Sequence, residues 1–200
     1  RGRLSAAEIL GLARRLAQPA PLDLRVNTLK APREAVLERL EADGFEAAPT
    51  RYSPLGVRLR QKIALNRHPM FLAGAVEVQD EGSQLLGLLV EPRRTDMVVD
   101  FCAGAGGKTL QIGAAMNSQG RLYAFDTSDK RLGNLAPRLR RSGLSNVHPQ
   151  RIEGENDAKV KRLRGKIDRV LVDAPCTGLG TLRRNPDLKT RQTERGLAEL

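Results

Sequence analysis

Hydrophobic positions along the chain keep two different rhythms. In the first third, Leu24, Val26 and Thr28 fall on every second residue, the pattern of one face of a strand. Pro32 then opens a stretch in which Val36, Leu37 and Leu40 share one side of a helix, and Gly44 stops it. Val57 and Leu59 mark a second strand. Ahead of these, Ser5 and Glu8 form a capping box before an apolar helical stretch reaching about Leu16. Pro19 and Pro21 make residues 17–21 a linker. The pattern implies a small α+β domain over residues 1–73.

From Gly74 the order becomes strand, helix, strand, helix. A helix is expected near 83–90, strands near 97–101, 121–126, 146–150 and 168–173, and helices near 108–116, 129–141 and 158–164. Ser128 or Asp129 caps the helix over 129–141 and Gly143 ends it. Apolar runs without alternation are the mark of buried parallel strands, and this alternation describes an α/β region, half of a doubly wound sheet with right-handed crossovers. Strand 168–173 would be an exposed apolar edge with nothing beyond it, which natural folds avoid. Residues 190–200 supply only the start of a helix, so the sheet is expected to be incomplete at its C-terminal side. No segment repeats or is of low complexity.

Three strand ends carry the candidate chemistry. Met97-Val98-Val99-Asp100 runs into Phe101-Cys102-Ala103-Gly104-Ala105-Gly106-Gly107-Lys108-Thr109. Its three glycines let a backbone approach a ligand, and the following helix offers free N–H groups. The spacing is neither Gly-x-Gly-x-x-Gly nor that of a phosphate-binding Walker loop, so nucleoside triphosphates are not expected. The strand Arg121–Phe125 ends in Asp126, placed as a carboxylate that grips the ribose of a nucleoside-type cofactor. Ile167–Val172 runs into Asp173-Ala174-Pro175-Cys176-Thr177-Gly178, an acid and a thiol where open α/β sheets bind ligands.

In that order, these segments resemble the Nol/Nop/Sun RNA 5-methylcytosine methyltransferases, which use S-adenosylmethionine. Residues Ile167 to Gly178 are similar to that family's signature, and Arg183-Arg184-Asn185-Pro186-Asp187-Leu188-Lys189 to the stretch after the signature. Gly74 to Leu89 resembles the segment leading into the catalytic domain. Leu24-Arg25-Val26-Asn27-Thr28-Leu29-Lys30 resembles a strand of the RNA-binding N-terminal domain. The resemblance spans roughly residues 22 to 190. One departure is Ala105, where the family's loop carries proline.

The resemblance implies a class I, Rossmann-like methyltransferase sheet over 74–200, preceded by a small α+β RNA-recognition-like domain. It implies that Cys102, Ala103, Gly104, Ala105, Gly106, Gly107 and Lys108 wrap the methionine part of S-adenosylmethionine. Asp126 would accept from the ribose hydroxyls and Asp157 would meet the adenine edge. Asp173 would hydrogen-bond the target cytosine and contact the cofactor as well, and Lys108 would neutralise nearby carboxylates. Arg183 and Arg184 are expected on RNA phosphate. Carbon 5 of cytosine takes a methyl group only after a thiolate has added to carbon 6. In this family the attacking thiol lies in a later Thr-Cys-Ser motif, and the Pro-Cys thiol, here Cys176, assists product release. No cysteine follows Cys176. The chain is therefore expected to stop before its nucleophile and to be inactive alone; the alternative is that Cys176 attacks.

Charge agrees with an RNA partner. The chain holds 34 Lys and Arg against 23 Asp and Glu, a formal net charge of +11. Of these basic residues 26 are Arg, the better fork for phosphate. Clusters at Arg138, Arg140 and Arg141, and at Lys159, Lys161, Arg162, Arg164 and Lys166, are the expected contact points. Aromatics make up 3% with no Trp, so shape and phosphate contacts are favoured over base stacking. Ribosomal RNA is the first expectation and transfer RNA the second. A non-catalytic RNA- and cofactor-binding module in ribosome assembly is the competing reading.

Two cysteines without paired spacing argue against a disulfide framework or a zinc site. No run of about 18 apolar residues predicts a membrane span, and no secretory leader is evident. A cytoplasmic monomer is expected. Arg1 in place of methionine suggests that residues precede it. His68 and His148 read as loop residues.

Overall fold

The structure, a computed structural model, describes residues 3–61, 63–191 and 193–198. The chain forms two compact units, residues 22–174 and residues 1–21 together with 175–200.

The larger unit begins with an antiparallel sheet. Strand β1 (Leu22–Val26) leads to helix α2 (Arg33–Ala42), β2 (Ala47–Pro49), β3 (Gly56–Leu59), the short α3 (Pro69–Leu72) and β4 (Val76–Val78). The order across the sheet is β2-β3-β1-β4, the split βαβ arrangement of ferredoxin-like domains. Pro32 precedes the first turn of α2 and Gly44, at φ +81°, ends it. Leu24 and Val26 pack with Val36 and Leu40 of the helix and with Val57, Leu59, Leu65 and Val76. Strands β2 and β4 and helix α3 extend what alternation predicts. Ala-Ala-Pro is a poor strand former, and it pairs here as an edge strand, where a proline without an N–H is tolerated. Strand β4 lies beyond residue 73, yet its partner is β1, so the first sheet runs on past the expected boundary.

The other face of β1 is polar and nonetheless buried. Asp23 and Arg25 are 1% and 2% exposed. Asp23 takes a bidentate pair from Arg58 at 2.7 and 2.9 Å. Helix α4 (Glu81–Leu88), capped by Asp80, closes over this face. Gln84 Nε2 donates to Leu24 O at 3.2 Å and to Gln79 O at 2.9 Å. This face of the sheet is thus a packing surface inside the unit. It does not offer bases an open platform.

The second sheet is parallel, with β5 (Met97–Asp100), β6 (Arg121–Asp126), β7 (Val147–Arg151) and β8 (Arg169–Leu171) in the order β7-β6-β5-β8. The first and last strands are neighbours, as the expected topology requires. Helices α5 (Gly107–Ala115) and α6 (Asp129–Ser142) bury Val98, Leu122, Ala124 and Val147 on one face with Leu110, Ile112, Met116 and Leu135. Ser128 caps α6 and Gly143, at φ +81°, ends it. On the other face Val99, Tyr123, Phe125 and Ile152 pack with Leu163, just past the short α7 (Ala158–Lys161). Strand β8 is shorter than expected. Its ladder closes with the bond from Phe101 N–H to Leu171 O at 2.8 Å, and Val170 is left 56% exposed. His148 lies in β7, with its ring 5.7 Å from that of Tyr123, and not in a loop.

In the smaller unit, Ser5 and Glu8 form the expected capping box at the start of α1 (Ala6–Ala17). Short helices α8 (Leu188–Arg191) and α9 (Glu194–Ala198) come after residue 187.

Candidate active site

Asp100 closes β5, and the chain then turns through the glycine loop into α5. Gly104 and Gly106 hold φ of +56° and +83°, values costly for a residue with a Cβ. A Cβ on Gly106 would run into the Leu135 side chain, whereas one on Gly104 would meet nothing within 4 Å. Packing therefore accounts for Gly106, and Gly104 leaves backbone open to a ligand. The ladder of α5 starts with Leu110 N–H on Gly106 O at 2.9 Å. The N–H groups of Gly107, Lys108 and Thr109 precede that bond, as at any helix start.

Asp126, 4% exposed at the end of β6, holds this loop directly. Its Oδ2 accepts from Gly104 N–H at 2.8 Å and its Oδ1 from Ser128 N–H at 2.8 Å. Arg131 approaches Oδ2 at 3.9 Å. Asp173 reaches the same loop from β8, accepting from Lys108 Nζ at 2.6 Å. Two carboxylates expected to flank one site thus meet one loop, Asp126 through Gly104 and Asp173 through Lys108. Lys108 and Asp173 form an ion pair.

Sequence reasoning missed Asp100. It is 1% exposed, and its Oδ2 accepts from Thr109 Oγ1 at 2.7 Å. Its Oδ1 is buried without a partner. Burial above all pushes its pKa up to about 6, with the charges of Asp173 and Asp126 adding to the rise against Thr109 and Lys108. The signal available was its place at a strand's carboxyl end, which reads equally as an ordinary strand terminus. Cys102 lies partly buried beside this group. Burial, then Asp126, Asp100 and Asp173, raise its thiol above the ordinary range. Cys102 is therefore a protonated thiol at neutral pH and a poor nucleophile.

The remaining candidates separate. Asp157 caps α7, with Oδ1 on Lys159 N–H at 2.8 Å and Oδ2 on Glu153 N–H at 2.9 Å. These bonds hold its carboxyl below the usual range, and they give it the work of a loop staple. Cys176 is an exposed free thiol in the smaller unit. In that unit Arg183 donates to Gln18 O at 3.3 Å and to Pro19 O at 2.6 Å, so it caps the end of α1 where a phosphate contact was expected. Arg184 is exposed.

The basic clusters divide in the same way. Arg138 and Arg141 bind the buried Glu77 at 3.0 and 2.6 Å and are themselves half-buried. Arg140 is exposed, as are Lys159, Lys161, Arg162, Arg164 and Lys166 around α7. Among the described residues no cluster of His, Cys, Asp and Glu could hold a metal, and no helix is long and apolar enough to cross a membrane.

Comparison with known proteins places this arrangement. The family described as 16S rRNA methyltransferase RsmB/F matches residues 87–200, and its ferredoxin-like domain matches residues 7–66. The chain is 38% identical over 196 residues to a probable ribosomal RNA small subunit methyltransferase B of Synechocystis, covering 97% of this chain and 44% of that protein. It is 32% identical to a mouse 28S rRNA (cytosine-C(5))-methyltransferase, covering 90% of this chain and 22% of that protein. The crystal structure of a methyltransferase homologue from Pyrococcus horikoshii superposes with a TM-score of 0.75 at 31% identity, over 86% of this chain and 56% of that one. The chain thus spans less than half the length of these curated relatives.

Proposed function

Because the chain belongs to the RsmB/F family of 16S rRNA methyltransferases, we propose that it is the cofactor-binding part of an enzyme that methylates carbon 5 of cytosine in ribosomal RNA. The observation that carries this reading is the convergence of Asp126, Lys108 and Asp173 on one glycine loop. S-adenosylmethionine fits that loop on two counts. Backbone around Gly104 is open where a side chain would otherwise stand. Asp100, Asp126 and Asp173 act together on Cys102, and three carboxylates beside one lysine complement a ligand that carries a sulfonium and an ammonium charge.

When bound, S-adenosylmethionine supplies an electrophilic methyl group. The residues of this chain hold and orient. Residues Cys102 to Lys108 wrap the cofactor's methionine part. Gly104 and Gly106 spend their N–H groups on Asp126 and Ala103 O, and the first-turn N–H groups of Gly107 and Lys108 are the donors left for it. Asp126, with one lone pair of each oxygen engaged by the protein, offers the others to ribose hydroxyls. Asp173, 47% exposed at its side chain, accepts a hydrogen bond from the cytosine while Lys108 keeps its free oxygen turned outward. Cys176, three residues further on, assists departure of the attacking thiol. The exposed basic ridge of 159–166 meets RNA phosphates.

Residues 1–73, with β4 completing their sheet, form the RNA-binding module and residues 74–200 the cofactor module. We assign the protein to the cytoplasm, as a monomer.

Bisulfite sequencing of RNA from cells lacking the full-length gene tests the proposal. Loss of one 5-methylcytosine from ribosomal RNA supports it, and an unchanged methylation map defeats it.

A further inference from the structure

Two carbonyl groups of the glycine loop are held by arginines. Arg25 Nη1, from β1, donates to Gly107 O at 2.6 Å and to Gln79 Oε1 at 2.9 Å. Arg138 Nη1, from α6, donates to Ala105 O at 2.6 Å. Both guanidinium groups depend on Glu77 of β4, which is 3% exposed. Arg138 Nε reaches Glu77 Oε2 at 3.0 Å, and Arg25 is its register partner across the β1–β4 pair. Burial draws the Arg25 pKa down to about 10, with Glu77 opposing the fall, so the group is charged at neutral pH.

The consequence for the loop comes from peptide geometry. No peptide bond of the described chain is cis, and in a trans peptide the C=O and the next N–H point opposite ways. Anchoring Gly107 O on Arg25 therefore turns Lys108 N–H away from the first sheet. That N–H belongs to the first turn of α5, among those without an intrahelical partner. Holding Ala105 O on Arg138 likewise fixes the peptide whose N–H, that of Gly106, closes on Ala103 O at 2.9 Å. The loop's binding shape is thus set from a sheet that contributes no residue to the candidate site.

We propose that Arg25 is a positioning residue for the cofactor, acting through Gly107, and that the Arg25–Glu77 pair of the first sheet determines how tightly the glycine loop binds. The inference rests on the reading of that loop as the cofactor site. Both bonds leave one nitrogen, Nη1. A lysine keeps the charge, but its Nζ stands where the arginine has Cζ, one bond short of Nη1, so its hold on Gly107 O and Gln79 is weakened.

The test uses Arg25→Lys and Glu77→Gln in the full-length protein. Three readouts are taken: affinity for S-adenosylhomocysteine by calorimetry, the split between cofactor KM and kcat, and amide exchange of residues 104–109 against Leu24 and Val26. The proposal expects Kd and cofactor KM to rise about tenfold, the fold-change of one charge-assisted hydrogen bond. It expects a smaller change in kcat, and faster exchange in the loop while β1 keeps its protection. A folded Arg25→Lys protein with unchanged Kd and unchanged loop exchange overturns it. So does a loss of protection spread evenly through β1, which would mark a merely structural role. Failure of the wild type to bind S-adenosylhomocysteine would remove the cofactor reading and the proposal with it. Wild-type binding with an unaffected Arg25→Lys removes the proposal alone.

Discussion

Lys108 Nζ stands 2.6 Å from Asp173 Oδ2, joining the first turn of α5 to the end of β8 across 65 residues of sequence. The lysine side chain is 13% exposed and the carboxylate 47%. The buried partner is the cation and the accessible one is the acid, so the pair presents Asp173 to whatever enters the site. Asp173→Asn keeps the shape but gives up the charge that the proposed mechanism sets against the reacting ring. Methyl transfer by the full-length enzyme should fall by on the order of 10²–10³, with S-adenosylhomocysteine affinity changed far less. Single-turnover kinetics beside calorimetry checks this; equal losses in both would make Asp173 a cofactor residue only.

Asp126 should matter most for binding. Its replacement by Ala removes the acceptor that holds Gly104 N–H as well as the proposed ribose partner. Cofactor affinity should weaken by about 1–3 kcal/mol. Calorimetry showing wild-type affinity in Asp126→Ala would take it out of the site.

Asp100 should make stability fall as the medium becomes less acidic. Its folded pKa of about 6 lies above the ordinary 3.8. Between those values the folded state holds more protons than the unfolded one, so its contribution is greatest below about pH 4 and declines toward pH 6. Asp100→Asn keeps an acceptor for Thr109 and abolishes the titration. It should be more stable than wild type by about 1–3 kcal/mol at pH 7 and indistinguishable near pH 4. Urea unfolding at both values measures it, and a wild type more stable than Asp100→Asn at pH 7 would contradict the burial argument.

The two basic clusters should behave differently toward RNA. Lys161→Ala and Arg164→Ala should each reduce the slope of log affinity against log salt by roughly 0.7–0.9 per phosphate left without its cation. Arg141→Ala, which strips a partner from buried Glu77, should lower the melting temperature and leave the slope alone. Filter binding across a salt series separates them.

How much of the molecule is legible in the chain depends on where the physics is local. The parallel strands and their helices were legible because apolar runs, caps and glycine stops act on neighbours: Ser128 and Gly143 bound α6 as expected. Strand β2 was not, since Ala47-Ala48-Pro49 pairs only because β3 offers it an edge. The polar face of β1 was hidden too. Asp23 and Arg25 look like solvent-facing residues in the alternation, and their partners Arg58 and Gly107 lie 35 and 82 residues away. Charge position misled in the same manner, because Arg138 and Arg183 read as phosphate contacts while their partners are Glu77 and the end of α1. That Asp126 and Asp173 both meet the glycine loop was legible because strand ends in a doubly wound sheet share one side by topology.

The most direct measurement concerns Cys176 in the full-length protein. If the attacking thiol lies outside this chain and Cys176 helps to expel it, Cys176→Ala should add to cytosine, transfer the methyl group and release product poorly. A denaturing gel with labelled ribosomal RNA should then show a retained protein–RNA band in the variant, stronger than in wild type. No retained band from Cys176→Ala, even with 5-fluorocytosine RNA, would contradict the account.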